Sequence, residues 1–130
     1  NKGIQPGPYY EDWMSWRANV ITTFISQFRA HIQKFRPTAQ LGVYAGSWFG
    51  EYQSYGNNWG SDDFDAGFWF LTRNYAATGM ADELDFLVTG CYYPTATVYD
   101  AMTQGKPIGP TVEAAGYLSY RAVNDKTWSY

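Results

Sequence analysis

Between Glu11 and Arg36 the apolar residues Trp13, Trp16, Val20, Ile21, Phe24, Phe28, Ile32 and Phe35 recur at intervals of three and four. That spacing marks one face of a helix, in which about 3.6 residues complete a turn. The uninterrupted run predicts a helix of roughly 40 Å, at about 1.5 Å per residue. A stripe so long and so apolar needs a surface to cover it, and this requirement constrains the fold more than any other feature of the chain. The limits of the helix are marked as well. Pro6, Gly7 and Pro8 hold its approach open, Glu11 and Asp12 suit the positive end of the helix dipole, and Pro37 stops it after Arg36.

Beyond the helix, Gln40 to Ser47 contains Leu-Gly-Val-Tyr-Ala-Gly, a short apolar run between a proline and glycines that predicts a buried strand. Trp48 to Ser61 is aperiodic and, at about fourteen residues, longer than most connections; loops of that length tend to carry function. Ser61 or Asp62 caps a predicted helix through Phe68, Leu71 and Tyr75, closed by Gly79, and Leu84 to Tyr93 reads as a second buried strand ended by Pro94. A helical turn is expected near Val98 and Met102, a loop at Gly105 to Pro110, a helix capped by Thr111 through Val123, and a strand from Thr127. This alternation predicts an α/β fold with a parallel sheet.

The chain of 130 residues is the size of one domain, and no run of about 18 apolar residues is present to span a membrane. A net charge of −3 without any basic run offers nothing to a phosphate backbone, so no nucleic acid partner is expected. The single cysteine, Cys91, makes neither an internal disulfide nor a structural zinc site. What stands out is an aromatic share of 20%, which suits flat, partly polar ligands because Tyr and Trp combine an apolar face with a polar tip.

In parallel α/β sheets, function collects at the carboxyl ends of the strands. After the first strand come Trp48, Glu51, Tyr52, Tyr55, Asn57, Asn58 and Trp59, and after the second come Tyr92 and Tyr93. Together they predict a cleft whose rings stack on sugar faces while Asn, Tyr and Glu bond hydroxyls. Glu51 is the one glutamate so placed and is the candidate general acid of a glycosidase; a solvated loop carboxylate is the alternative. Asp62, Asp63 and Asp65 lack EF-hand spacing and read as first-turn acids of a helix. Asp85, at the amino end of its strand, reads as a structural partner, and His31 and Cys91 have no chemical partners at useful spacing. No metal site is expected, and with no Walker, G-x-G-x-x-G or G-x-S-x-G motif, no cofactor is either.

Tyr9-Tyr10-Glu11-Asp12-Trp13, Trp16-Arg17, Leu41 through Trp48, Asn58-Trp59, Thr78-Gly79 and Leu84 through Tyr93 together resemble the glycoside hydrolases related to alpha-amylases, (β/α)8 TIM barrels of polysaccharide-degrading bacteria. The resemblance runs over nearly the whole chain and implies that residues 1–130 are one domain, about half of a barrel that takes about 250 residues. It makes the long helix the fourth of the barrel, the two strands the fifth and sixth, and Thr127 the start of the seventh. It further implies a secreted or periplasmic enzyme acting on poly- or oligosaccharide, whose principal catalytic carboxylate would precede Asn1, which reads as a cut end.

Two other readings use the same residues. A non-catalytic carbohydrate-binding α/β domain needs the aromatics and no carboxylate pair. A flavodoxin-type domain needs a phosphate-cradling loop, for which Gly46-Ser47-Trp48 is poorly suited because Trp48 crowds the backbone donors. As half of a barrel, the chain is expected to associate through its unpaired strand edges and helix stripe, with the remainder of the barrel or with a second copy of itself.

Overall fold

The computed structural model describes residues 7–46, 55–61, 73–122 and 127–129. In chain order the elements are α1 (Tyr10–Phe35), β1 (Gly42–Gly46), α2 (Arg73–Ala76), a 3-10 turn (Ala81–Glu83), β2 (Phe86–Gly90), α3 (Val98–Thr103), α4 (Val112–Ala122) and β3 (Thr127–Ser129). The predicted helix from Ser61 or Asp62 to Tyr75 falls mostly outside the described residues, as do Asp62, Asp63 and Asp65.

The long helix starts and stops where its flanking residues dictate. The Tyr10 N–H donates to the Gly7 carbonyl at 3.1 Å, and the Arg36 N–H donates to Ile32 at 2.9 Å before Pro37 removes the next donor. Of the stripe expected to face the core, Ile21 does so and the aromatic residues with Val20 do not. Met14 and Ala18 are the buried residues of α1; they pack with Tyr75, while Ile21 and Ile25 lie against a core of Trp59, Met80, Ala81, Leu84 and Leu87. Trp13, Trp16, Val20, Phe24, Phe28 and Phe35 form a second, outward ridge, each between 43% and 71% exposed.

The three strands are parallel in the order β1-β2-β3, with Val43 beside Leu87 and Tyr44 beside Val88. Alternation along the strands separates two faces. Val43, Ala45, Leu87 and Thr89 face the helices, and α4 joins them there through the Ser119 hydroxyl, which donates to Thr89 Oγ1 at 3.2 Å. The opposite face carries Gly42, with the Phe86 ring over it, then Tyr44 and Val88.

This arrangement overturns the expectation of a partial (β/α)8 TIM barrel. A barrel interior is filled by layers of bulky branched side chains contributed by eight tilted strands. Here the described residues make one open sheet of two five-residue strands and one of three, and the face away from the helices holds a glycine and a tyrosine that is 61% exposed. The ordinal places in a barrel that the resemblance implied for α1, β1, β2 and β3 fall with it.

Two polar clamps hold α1, one at the sheet and one at the turn after α2. Asp85, just ahead of β2, accepts from both terminal nitrogens of Arg29 at 2.8 and 3.0 Å and from the Leu41 N–H at 2.7 Å, while its own N–H donates to Leu41. The hydrogen bond to Asp85 outweighs partial burial and holds the Arg29 guanidinium above its ordinary range. The second clamp lies nearer the other end of the sheet. The Thr22 hydroxyl donates to the Thr78 carbonyl at 2.7 Å, and Asn58 Nδ2 donates to the Tyr75 carbonyl and to Thr78 Oγ1. Because Arg29 sits at the amino ends of β1 and β2, α1 runs antiparallel to the strands, and its first half reaches toward their carboxyl ends.

Candidate functional site at the carboxyl ends of the strands

β2 ends in Thr89-Gly90, followed by Cys91-Tyr92-Tyr93, and the glycine determines what can stand above it. A Cβ at Gly90 would come within 2.6 Å of the Tyr44 hydroxyl and 2.7 Å of Tyr92 Cε2. With no side chain there, the two tyrosines close over the backbone, and the Tyr44 hydroxyl meets that of Tyr92 at 3.1 Å. Both rings remain open to solvent, Tyr92 at 77%. The result is a pair of aromatic faces with joined polar tips at the carboxyl end of a parallel sheet. Apolar ring faces of this kind stack on the C–H face of a sugar, and phenolic hydroxyls both donate to and accept from its hydroxyls.

The other residues expected at the site lie in different places. Tyr93 is half-buried beside the pair, its N–H donating back to the Cys91 carbonyl at 2.9 Å, and Cys91 is buried beneath. Tyr55 is 64% exposed at the same end of the molecule but on the α1 side, since the next residue, Gly56, lies against the Arg17 carbonyl with φ at 82°. Asn58 and Trp59 are in the interior, each 2% exposed. Asn58 is used to tie the chain to Tyr75 and Thr78, and Trp59 belongs to the core and lines an apolar recess of about 240 Å³ between α1 and β1. These two therefore present no surface to a polysaccharide. Trp48, Glu51 and Tyr52 lie outside the described residues.

Tyr44 was missing from the expected set, although a signal for it was present. Strict alternation in Val43-Tyr44-Ala45 places the tyrosine on the face opposite its two apolar neighbours. Among the described residues no group of three or more His, Cys, Asp or Glu is placed to hold a metal ion, and no helix is long and apolar enough to cross a membrane.

No protein-family model matches the chain, and no solved structure matches it. Among curated proteins, an S-layer-related protein of Niallia circulans is 30% identical over 103 residues, an alignment that covers 69% of this chain. The chain spans 6% of the length of that relative, so the two share a short segment of a far longer protein.

Proposed function

We propose that this chain is a carbohydrate-binding part of a longer protein, in which the joined rings of Tyr44 and Tyr92 form the platform for a poly- or oligosaccharide. The observation that carries this reading is the exposed, hydroxyl-linked tyrosine pair standing over Gly90. The S-layer setting given in the relative's name is extended to this chain as part of the same proposal. Hydrolysis would need two carboxyl groups flanking the scissile bond. Glu51, the candidate general acid, lies outside the described residues, so binding rather than turnover is the activity the reading rests on.

Affinity electrophoresis through gels containing soluble polysaccharides tests it. Tyr44→Ala and Tyr92→Ala are expected to lose retardation, with affinity falling about threefold to tenfold for each lost ring contact. Tyr99→Ala, an exposed ring on α3, is expected to migrate like the parent chain. Equal retardation of all three variants, or none of the parent chain across a panel of polysaccharides, would overturn the reading.

A further inference from the structure

The outward ridge of α1 has a symmetry that names its partner. Trp13, Trp16, Val20, Phe24, Phe28 and Phe35 lie on one side of the helix, Phe24 and Phe28 with their rings stacked at 5.9 Å and Arg17 capping the Trp13 ring at 4.6 Å. Their spacing is nearly the same read in either direction from Phe24. Turned end for end about that residue, the helix sets Val20 against Phe28, Trp16 against the turn at His31 and Ile32, and Trp13 against Phe35. Charge follows the same symmetry. Exposed Asp12 sits at one end of the ridge and exposed Lys34 and Arg36 at the other, so reversal brings opposite charges together, whereas a parallel pair would set Asp12 against Asp12. Helix dipoles lying side by side attract when they are antiparallel, which favours the same direction.

We infer that this ridge is a self-complementary interface through which two copies of the chain pair α1 against α1, antiparallel, about a two-fold axis at Phe24. The surface is large enough for the role. At about 200 Å² per ring, the exposed portions of the five aromatics alone amount to roughly 560 Å² per copy, most of the ~800 Å² per partner of a standard interface before Val20 and the flanking side chains are added. An isologous contact of this kind closes on itself and leaves no ridge free to build a filament. The tyrosine platform is not part of it, so the dimer and the proposed carbohydrate binding stand or fall separately.

Sedimentation equilibrium of the 130-residue chain is the test. The parent chain is expected to be a dimer at tens of micromolar. Phe24→Lys, which sets two lysines face to face on the axis, is expected to weaken association on the order of a hundredfold or more, with an unchanged far-ultraviolet circular dichroism spectrum. Asp12→Lys should weaken it about threefold, and adding Lys34→Asp should restore it. Register is read independently in a Cys91→Ala background: Phe24→Cys is expected to cross-link into a disulfide dimer under mild oxidation, and Trp13→Cys to stay uncross-linked because its partner position is Phe35. A monomeric parent chain, whose ridge would then belong to another partner, overturns the inference. So does a dimer indifferent to Phe24→Lys, or cross-linking through Trp13→Cys in place of Phe24→Cys.

Discussion

α1 carries two apolar faces side by side, and they are made of different residues. The inward face uses Met14, Ala18, Ile21 and Ile25, which are slimmer than aromatic rings and let the helix axis approach Tyr75, Met80 and the helix-facing side of β1 and β2. The outward face uses Trp13, Trp16, Phe24, Phe28 and Phe35, whose bulk would hold the helix away from that surface. Ala18, at 0% exposure, marks the place of closest approach. Hydrophobicity alone therefore does not decide which face a helix buries in its own domain; side-chain size relative to the space available does.

The sharpest way to break this comparison is to put the same charge on each face. Ala18→Lys drives an ammonium into a fully buried position and is expected to cost on the order of 3 kcal/mol or more. Val20→Lys, two residues on, adds a charge to an exposed position and should change the stability of the monomer by no more than about 0.5 kcal/mol. Urea unfolding of both variants, at concentrations where the chain is monomeric, gives the answer. Similar losses would mean that the ridge is as enclosed as the inward face and that the two-face description is wrong.

The comparison also explains what could be read from the sequence. The helix limits were legible to within a residue because prolines and first-turn acids act locally, and Thr111 was legible as a cap because its hydroxyl needs only the Ala114 N–H three residues away. Strands β1 and β2 came out shorter than their apolar runs, since ladder bonds rather than hydrophobicity set their ends. The orientation of α1 was not legible. Trp13, Phe24 and Phe28 share the helical period with Ile21, and nothing local separates two adjacent stripes when both are apolar. Likewise Asn58 and Trp59 looked like cleft residues because they sit in a Gly- and Asn-rich stretch. Their burial depends on Met80 and Ala81, about twenty residues later, whose N–H groups bond the Asn58 and Gly60 carbonyls. The barrel expectation failed for the same reason: strand-end sequences report local chemistry, whereas closure of a sheet is a property of strands far apart in the chain.

A second variant sharpens the comparison by asking how much of the inward attachment is polar. Asp85 is bonded by Arg29 from α1 and by the Leu41 N–H ahead of β1, and the two charged side chains are 22% and 28% exposed, so the charge attraction itself is modest. Asp85→Ala removes the acceptor for three hydrogen bonds and is expected to cost about 2 kcal/mol. Asp85→Asn keeps an acceptor for Leu41 and one for Arg29, so it should cost about half as much. Denaturant midpoints at fixed slope separate the two variants. Equal losses would show that the carboxylate charge, rather than its acceptor geometry, ties α1 to the sheet.

The smallest effect expected is visible only in alkali, and it concerns the phenol that the inward face seals. Tyr75 is buried against Met14 and Ala18, and its ionisation is pushed well above the ordinary tyrosine value, first by burial and then by the nearby Tyr10 phenol. The unfolded chain gives up this proton near pH 10, whereas the folded chain holds it. Above that pH the unfolded state therefore binds fewer protons, and stability must fall as pH rises. Below pH 10 both states are protonated and Tyr75 contributes no slope. The slope from this one group rises toward, and stays below, about 1.4 kcal/mol per pH unit. Tyr75→Phe removes it, so unfolding free energies of parent and variant should run parallel up to about pH 10, and beyond that the parent's should fall relative to the variant's. Curves that stay parallel into stronger alkali would mean that water reaches Tyr75 in the folded chain. The inward face of α1 would then be open, and the contrast between its two faces would disappear.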